Sequence, residues 1–458
     1  MGRRKRHTPP FEVRIERLES GALGAGVYEG RPVLVRGAPP GAVVRVAPFR
    51  RKKGALHARR LALVEPPPDA ATPRCGQFGL CGGCAFQELR LDAQRREKRA
   101  LVRRTLAPLD GVEDLGVRGA ADAYGYRNKV ELSFGVQRYL SDADHAAGRP
   151  IDGLWLGFHA PGRFDRVVDA PRCELISEPL NAVLAAVRAH LERSALPIWD
   201  PRSHQGFWRH LVLREATTGQ RLVAIYTAPP LDEPAARAEL DALAAALPEV
   251  TGVCWFVNDR VADAAIGELR AVLRGQPWIE EALGPRRYRL SPTSFFQTNT
   301  PAARVLYDAI GELAGQGARL LDLYCGTGAI GVYLSDRFDA VLGIELNPHA
   351  VEDARANAAL NGLDNVVYVA GPVEDHLPEI RPGDVAVVDP PRVGLHPRAA
   401  RWLAEQPLER LVYVACKPAS LARDREILET GGWRMTRLCT VDLFPHTGHV
   451  EAVALFTR

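Results

Sequence analysis

Four short apolar segments in the last third of the chain constrain its fold more than any other sequence feature. Each is typical of a strand buried on both faces, and helix-like sequence separates each from the next. Buried strands that alternate with helices indicate a parallel, doubly wound sheet. The sequence therefore predicts a C-terminal α/β domain of Rossmann-like type, with strands at RLLDLY (319–324), AVLGIE (340–345), DVAVVD (384–389) and LVYVAC (411–416).

The N-terminal part of the chain has a different pattern. Between residues 10 and 65, short runs alternate apolar and polar side chains and are separated by glycine-rich turns, which predicts a small OB-like β-barrel. Residues 1–60 contain 15 Lys and Arg but only 4 Asp and Glu, although the whole chain has a net charge of only +4. A basic module of this kind favours a polyanionic partner, and residues 1–8 are predicted to be a solvated tail.

The chain of 458 residues is too long for one hydrophobic core. A proline-rich stretch at 66–74 predicts a linker after the barrel, and the following sequence mixes strands with alanine-rich helices, as in an α+β domain. We therefore predict three domains, which are a barrel at 1–66, an α+β domain at 67–288 and the α/β domain at 289–458.

The composition is ordinary for a soluble protein, with 46% hydrophobic and 25% charged residues. The sequence contains no apolar stretch that is long enough to span a membrane, and its basic start lacks the apolar run of a signal peptide. These features predict a cytoplasmic protein that does not use a membrane as a partner.

A glycine-rich turn, DLYCGTGAIG (322–331), follows the first strand of the α/β domain and opens a helix. Glycines at such a turn let the backbone approach a ligand closely, although dinucleotide enzymes and plain tight turns have them too. Glu345 ends the next strand, where its carboxylate is able to accept hydrogen bonds from both hydroxyls of a ribose. Together the turn and the acid resemble the S-adenosylmethionine pocket of class I methyltransferases.

Five segments of the C-terminal third carry a more specific resemblance. Their order and spacing are similar to those of the RNA 5-methyluridine methyltransferases, so the chain is identified as resembling that family. The segments are SFFQTN (294–299), LDLYCGTG (321–328), DPPRVG (389–394), VYVACKPASLARD (412–424) and VDLFPHTGHVE (441–451).

The resemblance implies that Cys416 is the nucleophile and Glu451 the base. Carbon 5 of uracil is a weak nucleophile, and addition of a thiolate at carbon 6 turns the ring into an enolate that attacks the methyl group. We expect the protein to lower the pKa of this thiol. A base then removes the proton from carbon 5. The resemblance further implies that the cofactor and uracil pocket is lined by Gln297, Tyr324, Glu345 and Asp389.

Three cysteines lie close together as CxxxxxCGGC, and a fourth lies far downstream. Spacing alone allows either a structural zinc or an iron–sulfur cluster. The resemblance favours the second, because iron–sulfur members of the family have this spacing and a distant fourth cysteine. The implied ligands of a 4Fe–4S cluster are Cys75, Cys81, Cys84 and Cys173.

The barrel resembles a TRAM domain, an RNA-binding module, in which the RRKK run (50–53) would contact phosphates. The predicted partner is structured RNA, with 23S ribosomal RNA favoured over transfer RNA because the barrel and cysteine cluster resemble the ribosomal branch. No obligate protein partner is predicted. Two alternatives remain open at this point, namely a methyltransferase that acts on an exocyclic amine and a non-catalytic RNA-binding protein on the same fold.

Overall fold

The computed structural model describes residues 9–458, so the predicted tail at 1–8 lies outside the described residues. The described residues form three larger β-sheets, which are a six-stranded N-terminal sheet, a seven-stranded central sheet and an eight-stranded, mainly C-terminal sheet. A two-stranded hairpin connects the second to the third. No helix within residues 9–458 is long and apolar enough to cross a membrane.

The N-terminal sheet has the strand order β1-β5-β6-β4-β3-β2. Alternate side chains point inward and form a small core that includes Val13, Val35 and Val46. Glu16 lies in the chain between β1 and β2, which are the two opposite edges of this sheet. Its amide donates to the carbonyl of Ala25 in β3 (2.8 Å), and this bond draws the two edges together toward a barrel. The strands are β1 (Phe11–Arg14), β2 (Arg17–Glu19), β3 (Leu23–Tyr28), β4 (Arg31–Arg36), β5 (Val43–Lys52) and β6 (Ala55–Glu65).

A helix and a strand after the cysteine-rich segment belong structurally to the C-terminal sheet. The helix is α1 (Leu91–Leu106), and the strand β7 (Glu113–Gly119) pairs in parallel with a strand near the end of the chain. The sequence places both elements in the domain at 67–288, but their packing joins them to the C-terminal unit. The local sequence pattern of β7 does not indicate which strand it pairs with, because that strand lies far along the chain.

The central sheet has the order β10-β9-β8-β11-β12-β13-β14, and the longer helices α3 and α4 cover one face. Phe207 and Trp208 are buried in this core, as expected from their apolar surroundings. The elements are β8 (Lys129–Gln137), α2 (Asp142–Ala146), β9 (Asp152–His159), β10 (Val167–Asp169), α3 (Glu178–Leu191), β11 (Trp208–Glu215), β12 (Arg221–Thr227), α4 (Glu233–Ala245), β13 (Gly252–Val257) and β14 (Glu268–Arg274), followed by the hairpin β15 (Ile279–Leu283) and β16 (Arg286–Leu290).

The C-terminal sheet is the predicted doubly wound sheet, in the order β19-β18-β17-β20-β21-β23-β22-β7. The first five strands are parallel and apolar, and separate hydrophobic cores cover the two faces. The elements are α5 (Thr300–Ala314), β17 (Gly317–Leu323), α6 (Ala329–Leu334), β18 (Phe338–Glu345), α7 (Pro348–Leu360), β19 (Val366–Ala370), β20 (Asp384–Val388), α8 (Pro397–Glu405), β21 (Arg410–Ala415), α9 (Pro418–Thr430), β22 (Arg434–Asp442) and β23 (Glu451–Thr457).

Candidate active site

The carboxyl ends of the parallel strands collect the predicted site residues at one edge of the sheet. Tyr324 follows β17, Glu345 ends β18, Asp389 follows β20 and Cys416 follows β21. Strands β17 and β20 are neighbours in the sheet, although the chain between them includes the strands β18 and β19 and the helices α6 and α7. The strand order reverses at their junction, which is therefore a topological switch point. Ligands of open α/β sheets bind at such a point.

Cys416 and Glu451 face each other across neighbouring strands. Strand β23 runs antiparallel to β21, with Ala415 opposite Ala452, so the register places Cys416 beside Glu451. Glu451 is buried, and this burial raises the pKa of its carboxyl well above the ordinary value, with a further contribution from Asp389. The strand order therefore brings together a thiol and a carboxyl group that lie 35 positions apart in the sequence.

The thiol of Cys416 does not have the lowered pKa that we expected from the chemistry. Burial raises its pKa first, and the nearby carboxyl groups of Glu451 and Asp389 raise it further. The charge of Arg392 acts in the opposite direction but does not prevail. In the protein alone, Cys416 therefore favours the neutral thiol, because the pocket that surrounds it is rich in acids.

Two carboxyl groups at this edge of the sheet have pKa values near neutrality. Burial raises the pKa of Asp389 to about 7, and Asp322, at the end of β17, is raised to about 7 for the same reason. One oxygen of Asp322 accepts a hydrogen bond from the amide of Gly331 (2.9 Å), and the other has no hydrogen-bond partner among residues 9–458. Our sequence interpretation did not assign Asp322 a role, although its place just before the glycine turn was a usable signal.

The glycine turn between β17 and α6 has the backbone geometry that the sequence predicts. Gly328 has φ = 73°, and a Cβ atom on it would lie 2.3 Å from the hydroxyl of Tyr368. Glu345 accepts hydrogen bonds from the amides of Gly326 (3.1 Å) and Asn347 (2.8 Å), which orient its carboxylate beside the turn. Glu345 is thus held where a nucleoside that contacts the turn would meet it.

Gln297 lies in a segment that connects the glycine turn with the end of the chain. The neighbouring carbonyl of Phe295 accepts from the hydroxyl of Thr327 in the turn (3.2 Å). The side chain of Asn299 caps α5 and donates to the carbonyl of Leu443 (2.7 Å). These bonds place Gln297 between the turn and the residues that precede Glu451.

Residues 443–450, which we call the catalytic loop, lead directly into Glu451 and are held by distant parts of the chain. His446 has φ = 65°, and its carbonyl accepts from the amides of Ala85 (2.7 Å) and Phe86 (3.0 Å), next to the cysteine-rich segment. Its own amide donates to Gln94 on α1 (2.7 Å). Burial lowers the pKa of His446 to about 4, so its ring is neutral at pH 7 and does not supply a charge to the site.

A fully buried ion pair fixes the start of the same loop. Lys98, one turn after Gln94 on α1, donates to the carboxylate of Asp442 (2.5 Å) and to the carbonyl of Phe444 (2.9 Å). Our sequence interpretation missed Gln94 and Lys98. Both lie in a helix whose basic pattern is typical of a solvated surface, and no local signal pairs them with residues near 444.

The four predicted metal ligands line one small cavity of about 80 Å³. Burial raises the pKa of Cys81 to about 11 and that of Cys84 to about 12, and the other thiols of the set add to this rise. The charge of Arg127 opposes this rise for Cys81. A partly buried set of thiols of this kind fits a site whose thiolates form when a metal or cluster binds. In residues 9–458, however, no three Cys, His, Asp or Glu side chains already have the close arrangement of a metal site.

Two basic residues of the central sheet, Arg209 and Lys129, are engaged in contacts within the protein. Arg209 is buried and donates to the carbonyls of Asn258 (2.9 Å) and Ala262 (2.9 Å), so its role is to hold the loop after β13. Lys129 forms an ion pair with Glu131 (2.8 Å). Their positive charges are used within the protein.

Comparison with known proteins supplies the family. A family model described as tRNA (uracil-5-)-methyltransferase matches residues 278–378 and 382–458. An uncharacterized RNA methyltransferase of Caldanaerobacter subterraneus subsp. tengcongensis is 36% identical over 97% of this chain and 98% of its own. The chain belongs to the RNA uracil-5 methyltransferase family.

Further relatives agree with this membership. An uncharacterized RNA methyltransferase of Chlorobaculum tepidum is 37% identical over 94% of this chain and 92% of its own. The solved structure of Pyrococcus abyssi tRNA (uracil-54, C5)-methyltransferase with S-adenosyl-L-homocysteine has a TM-score of 0.76 and 28% identity, covering 98% of this chain and 100% of that one. The protein is therefore an RNA (uracil-5) methyltransferase with a multidomain methyltransferase fold, and its methyl donor is S-adenosylmethionine.

Proposed function

We propose that the enzyme methylates carbon 5 of one uridine in structured RNA through a covalent bond between Cys416 and the uracil ring. The position of Cys416 opposite Glu451, at the sheet edge that also holds Glu345 and the glycine turn, carries this proposal. A nucleoside donor at the turn and a uracil above Cys416 would meet between these strands. A target uridine within folded RNA must leave its stack to reach them.

The steps follow from the groups at this edge. The thiolate of Cys416 adds to carbon 6 of uracil, and the resulting enolate attacks through carbon 5. S-adenosylmethionine would supply the methyl group to carbon 5, and its sulfur would leave as the neutral thioether of S-adenosylhomocysteine. Before transfer, the positive charge of the sulfonium opposes the raised pKa values of the nearby acids and thiol. Glu451 then takes the proton from carbon 5, the bond between sulfur and carbon 6 breaks, and the methylated base leaves.

Asp389 is the group best suited to hold the uracil ring. Its pKa of about 7 lets the carboxyl group accept or donate a hydrogen bond near neutral pH. The two prolines that follow it have no amide hydrogens to compete for its oxygens. Arg423 donates to the carbonyl of Val393 (2.7 Å) and so holds the loop that carries this acid.

The covalent step is tested by two substitutions. Cys416→Ala is expected to abolish methyl transfer and to leave S-adenosylmethionine binding measurable by calorimetry. Glu451→Gln is expected to trap an RNA–protein adduct that survives a denaturing gel, because the proton at carbon 5 is no longer removed. The control is Cys439→Ala, which changes a buried thiol on β22 and should leave turnover in place. Normal turnover by Cys416→Ala would contradict the proposal.

We propose 23S ribosomal RNA as the substrate, because a basic barrel and a four-cysteine site occur together in this chain as in the ribosomal branch that the sequence resembles. Transfer RNA is the second candidate, since the matching Pyrococcus abyssi structure is named as a tRNA (uracil-54, C5)-methyltransferase. Methylation of 23S transcripts and of tRNA transcripts by the purified enzyme, followed by mapping of the modified nucleotide, decides between them. On the ribosomal proposal, the site of action is the cytoplasm.

We further propose that Cys75, Cys81, Cys84 and Cys173 hold a 4Fe–4S cluster. The shared cavity and the burial of their thiols support this assignment, because bound iron supplies the positive charge that four buried thiolates need. The expected role is structural, since methyl transfer needs no electron. Iron and sulfide are measured in anaerobically purified protein, and one zinc ion per chain in place of iron would overturn the assignment.

A further inference from the structure

Strand β5 extends past the end of β1 and leaves one of its edges open. Strand β1 pairs with β5 only from Val43 to Val46. From residue 47 onward, β5 has β6 as its sole neighbour in the described sheet, and β6 itself stays paired with β4 from Leu56 to Ala58. Residues 47–54, which we call the ribbon tip, therefore combine the open edge of β5 with the turn that follows it.

A β-bulge turns one aromatic side chain outward at this tip. Pro48 pairs with Ala58 and Arg50 pairs with His57, so Phe49 between them has no partner across the ribbon. The side chain of Phe49 is 68% exposed. Bulges commonly redirect a side chain at sheet edges and next to functional sites.

The charge around Phe49 has one sign. Between Glu29 and Glu65 the chain contains nine Lys and Arg and no Asp or Glu. Along the ribbon, the ion pairs within residues 9–458 are made by Arg14 with Glu65 and by Arg60 with Glu88, both outside the stretch from Phe49 to Gly54. The cations next to Phe49 therefore lack acidic partners in the described part of the chain, and they are Arg50, Arg51, Lys52 and Lys53.

The backbone of the tip favours a nucleic acid over an added protein strand. Pro48 has no amide hydrogen, so the free edge of β5 offers an incomplete set of donors to a partner strand. Lys53 (φ = 48°) and Gly54 (φ = 82°) form a tight turn that places the cations around one end. An aromatic ring among uncompensated cations matches a single strand of RNA, whose bases stack and whose phosphates are anionic.

We propose that Phe49 stacks on an unpaired base of the substrate RNA while the flanking cations contact its phosphates. This inference rests on the proposed function and adds a base-stacking residue far along the chain from Cys416. The ligand is a single-stranded segment that adjoins the target uridine in the folded RNA. Stacking on a ring tolerates any base, so the ribbon tip anchors RNA without selecting the uridine.

The test compares binding of a fluorescein-labelled 12-nucleotide oligouridylate with binding of a 12-base-pair RNA duplex, by anisotropy at several salt concentrations. Phe49→Ala should weaken single-strand binding about 5- to 150-fold and leave its salt dependence unchanged, because stacking releases no counterions. Phe49→Trp should retain the affinity. Arg51→Ala should lower the slope of log affinity against log salt by about 0.7, the value for one phosphate of a single strand.

Val27→Ala is the matched control, since Val27 is another exposed apolar side chain of the barrel, and it should bind like the unchanged protein. Binding of oligouridylate by Phe49→Ala at full strength would overturn the inference, and so would an equal loss for single strand and duplex. Competition by polyglutamate as strong as that by RNA would also overturn it, since it would indicate an acidic protein partner. Methyl transfer by the unchanged protein is measured separately on folded 23S and tRNA transcripts, and its absence there would count against the proposed function instead.

Discussion

At the scale of single residues, the acids around Cys416 keep its thiol in the neutral form in the protein alone. Glu451, Asp389 and burial all favour the neutral thiol, and Arg392 is the opposing charge. A thiol in such a pocket is protected from oxidation and alkylation, because these reactions need the thiolate. The reactive form is expected when the positively charged donor and the substrate occupy the site.

Alkylation of Cys416 should therefore depend on pH in a specific way. The thiolate fraction rises with pH, and a raised pKa moves this rise above the ordinary thiol range of about 8.5. Glu451→Gln removes a negative charge that raises the pKa of the Cys416 thiol. The pH profile of Cys416 alkylation in this variant should therefore shift to lower pH. Mass spectrometry of the peptide that contains Cys416, after timed treatment with iodoacetamide, gives the rate at each pH.

The control for this shift is Glu352→Gln, which changes an exposed acid on α7. Its profile should match that of the unchanged protein. An identical profile for Glu451→Gln would mean that the carboxyl group of Glu451 does not act on the thiol across the strands.

The sequence predicted where these residues lie but not how they affect one another. Cys416 and Asp389 each follow an apolar strand, so their place at one sheet edge follows from local pattern. The raised pKa values depend on burial by elements from elsewhere in the chain, which no local pattern reports. Asp322 illustrates this, since its unpartnered oxygen is visible only once α6 and β18 are packed around it.

At the scale of elements, α1 acts as a support for the catalytic loop. Gln94 and Lys98 lie on one face of the helix, four positions apart, and bond to His446, Asp442 and Phe444. The helix follows the cysteine-rich segment, whose amides at Ala85 and Phe86 bond to the same loop. The cysteine site and the loop before Glu451 are therefore joined by main-chain hydrogen bonds.

Removal of the buried ion pair should show how much this support contributes. Lys98→Ala leaves the carboxylate of Asp442 buried with only Arg95 nearby, so the free energy of unfolding should fall by about 3 kcal/mol. The double variant Lys98→Ala with Asp442→Ala should lose less, because no charge is then left without a partner. Urea unfolding followed by circular dichroism measures both values, and a larger loss in the double variant would contradict this account.

The same scale shows what local patterns missed. The segment RKKG (51–54) has the composition of a loop, but β5 continues through Lys52 and the turn is limited to Lys53 and Gly54. Electrostatic repulsion between the neighbouring cations of this strand is weak, because their side chains point into solvent and salt screens them. Strand β7 was likewise hidden, since only its pairing with β22 makes it part of the C-terminal sheet.

At the scale of the whole molecule, the barrel contacts the catalytic loop directly. A Cβ atom on Gly448 would lie 2.5 Å from the amide nitrogen of Ala22, so the two backbones touch. The strands of the first two sheets lie within residues 11–65 and 129–274, whereas the predicted domain boundaries stay a prediction. Contacts between the barrel and the catalytic loop, such as this one, were not predictable, because they join residues from opposite ends of the chain.

Gly448→Ala should loosen the barrel from the rest of the enzyme, since backbone atoms have no room to move aside. Limited digestion with proteinase K should then cut the linker at 66–74 several-fold faster than in the unchanged protein, because that segment opens more often. Gly76→Ala is the control, as a Cβ atom there meets nothing within 4 Å. Equal cutting rates would show that the barrel tolerates the added methyl group.

The contact between Ala22 and Gly448 also determines when, during synthesis, the barrel is able to pack against the rest of the protein. The barrel leaves the ribosome before the later described parts of the chain, and the loop that meets it follows only after β22. Until residues 443–451 have been made, the nascent protein therefore lacks both the contact partner of its N-terminal module and the acid opposite Cys416. A messenger RNA cut short before the codon for residue 443 would yield a protein in which neither contact forms.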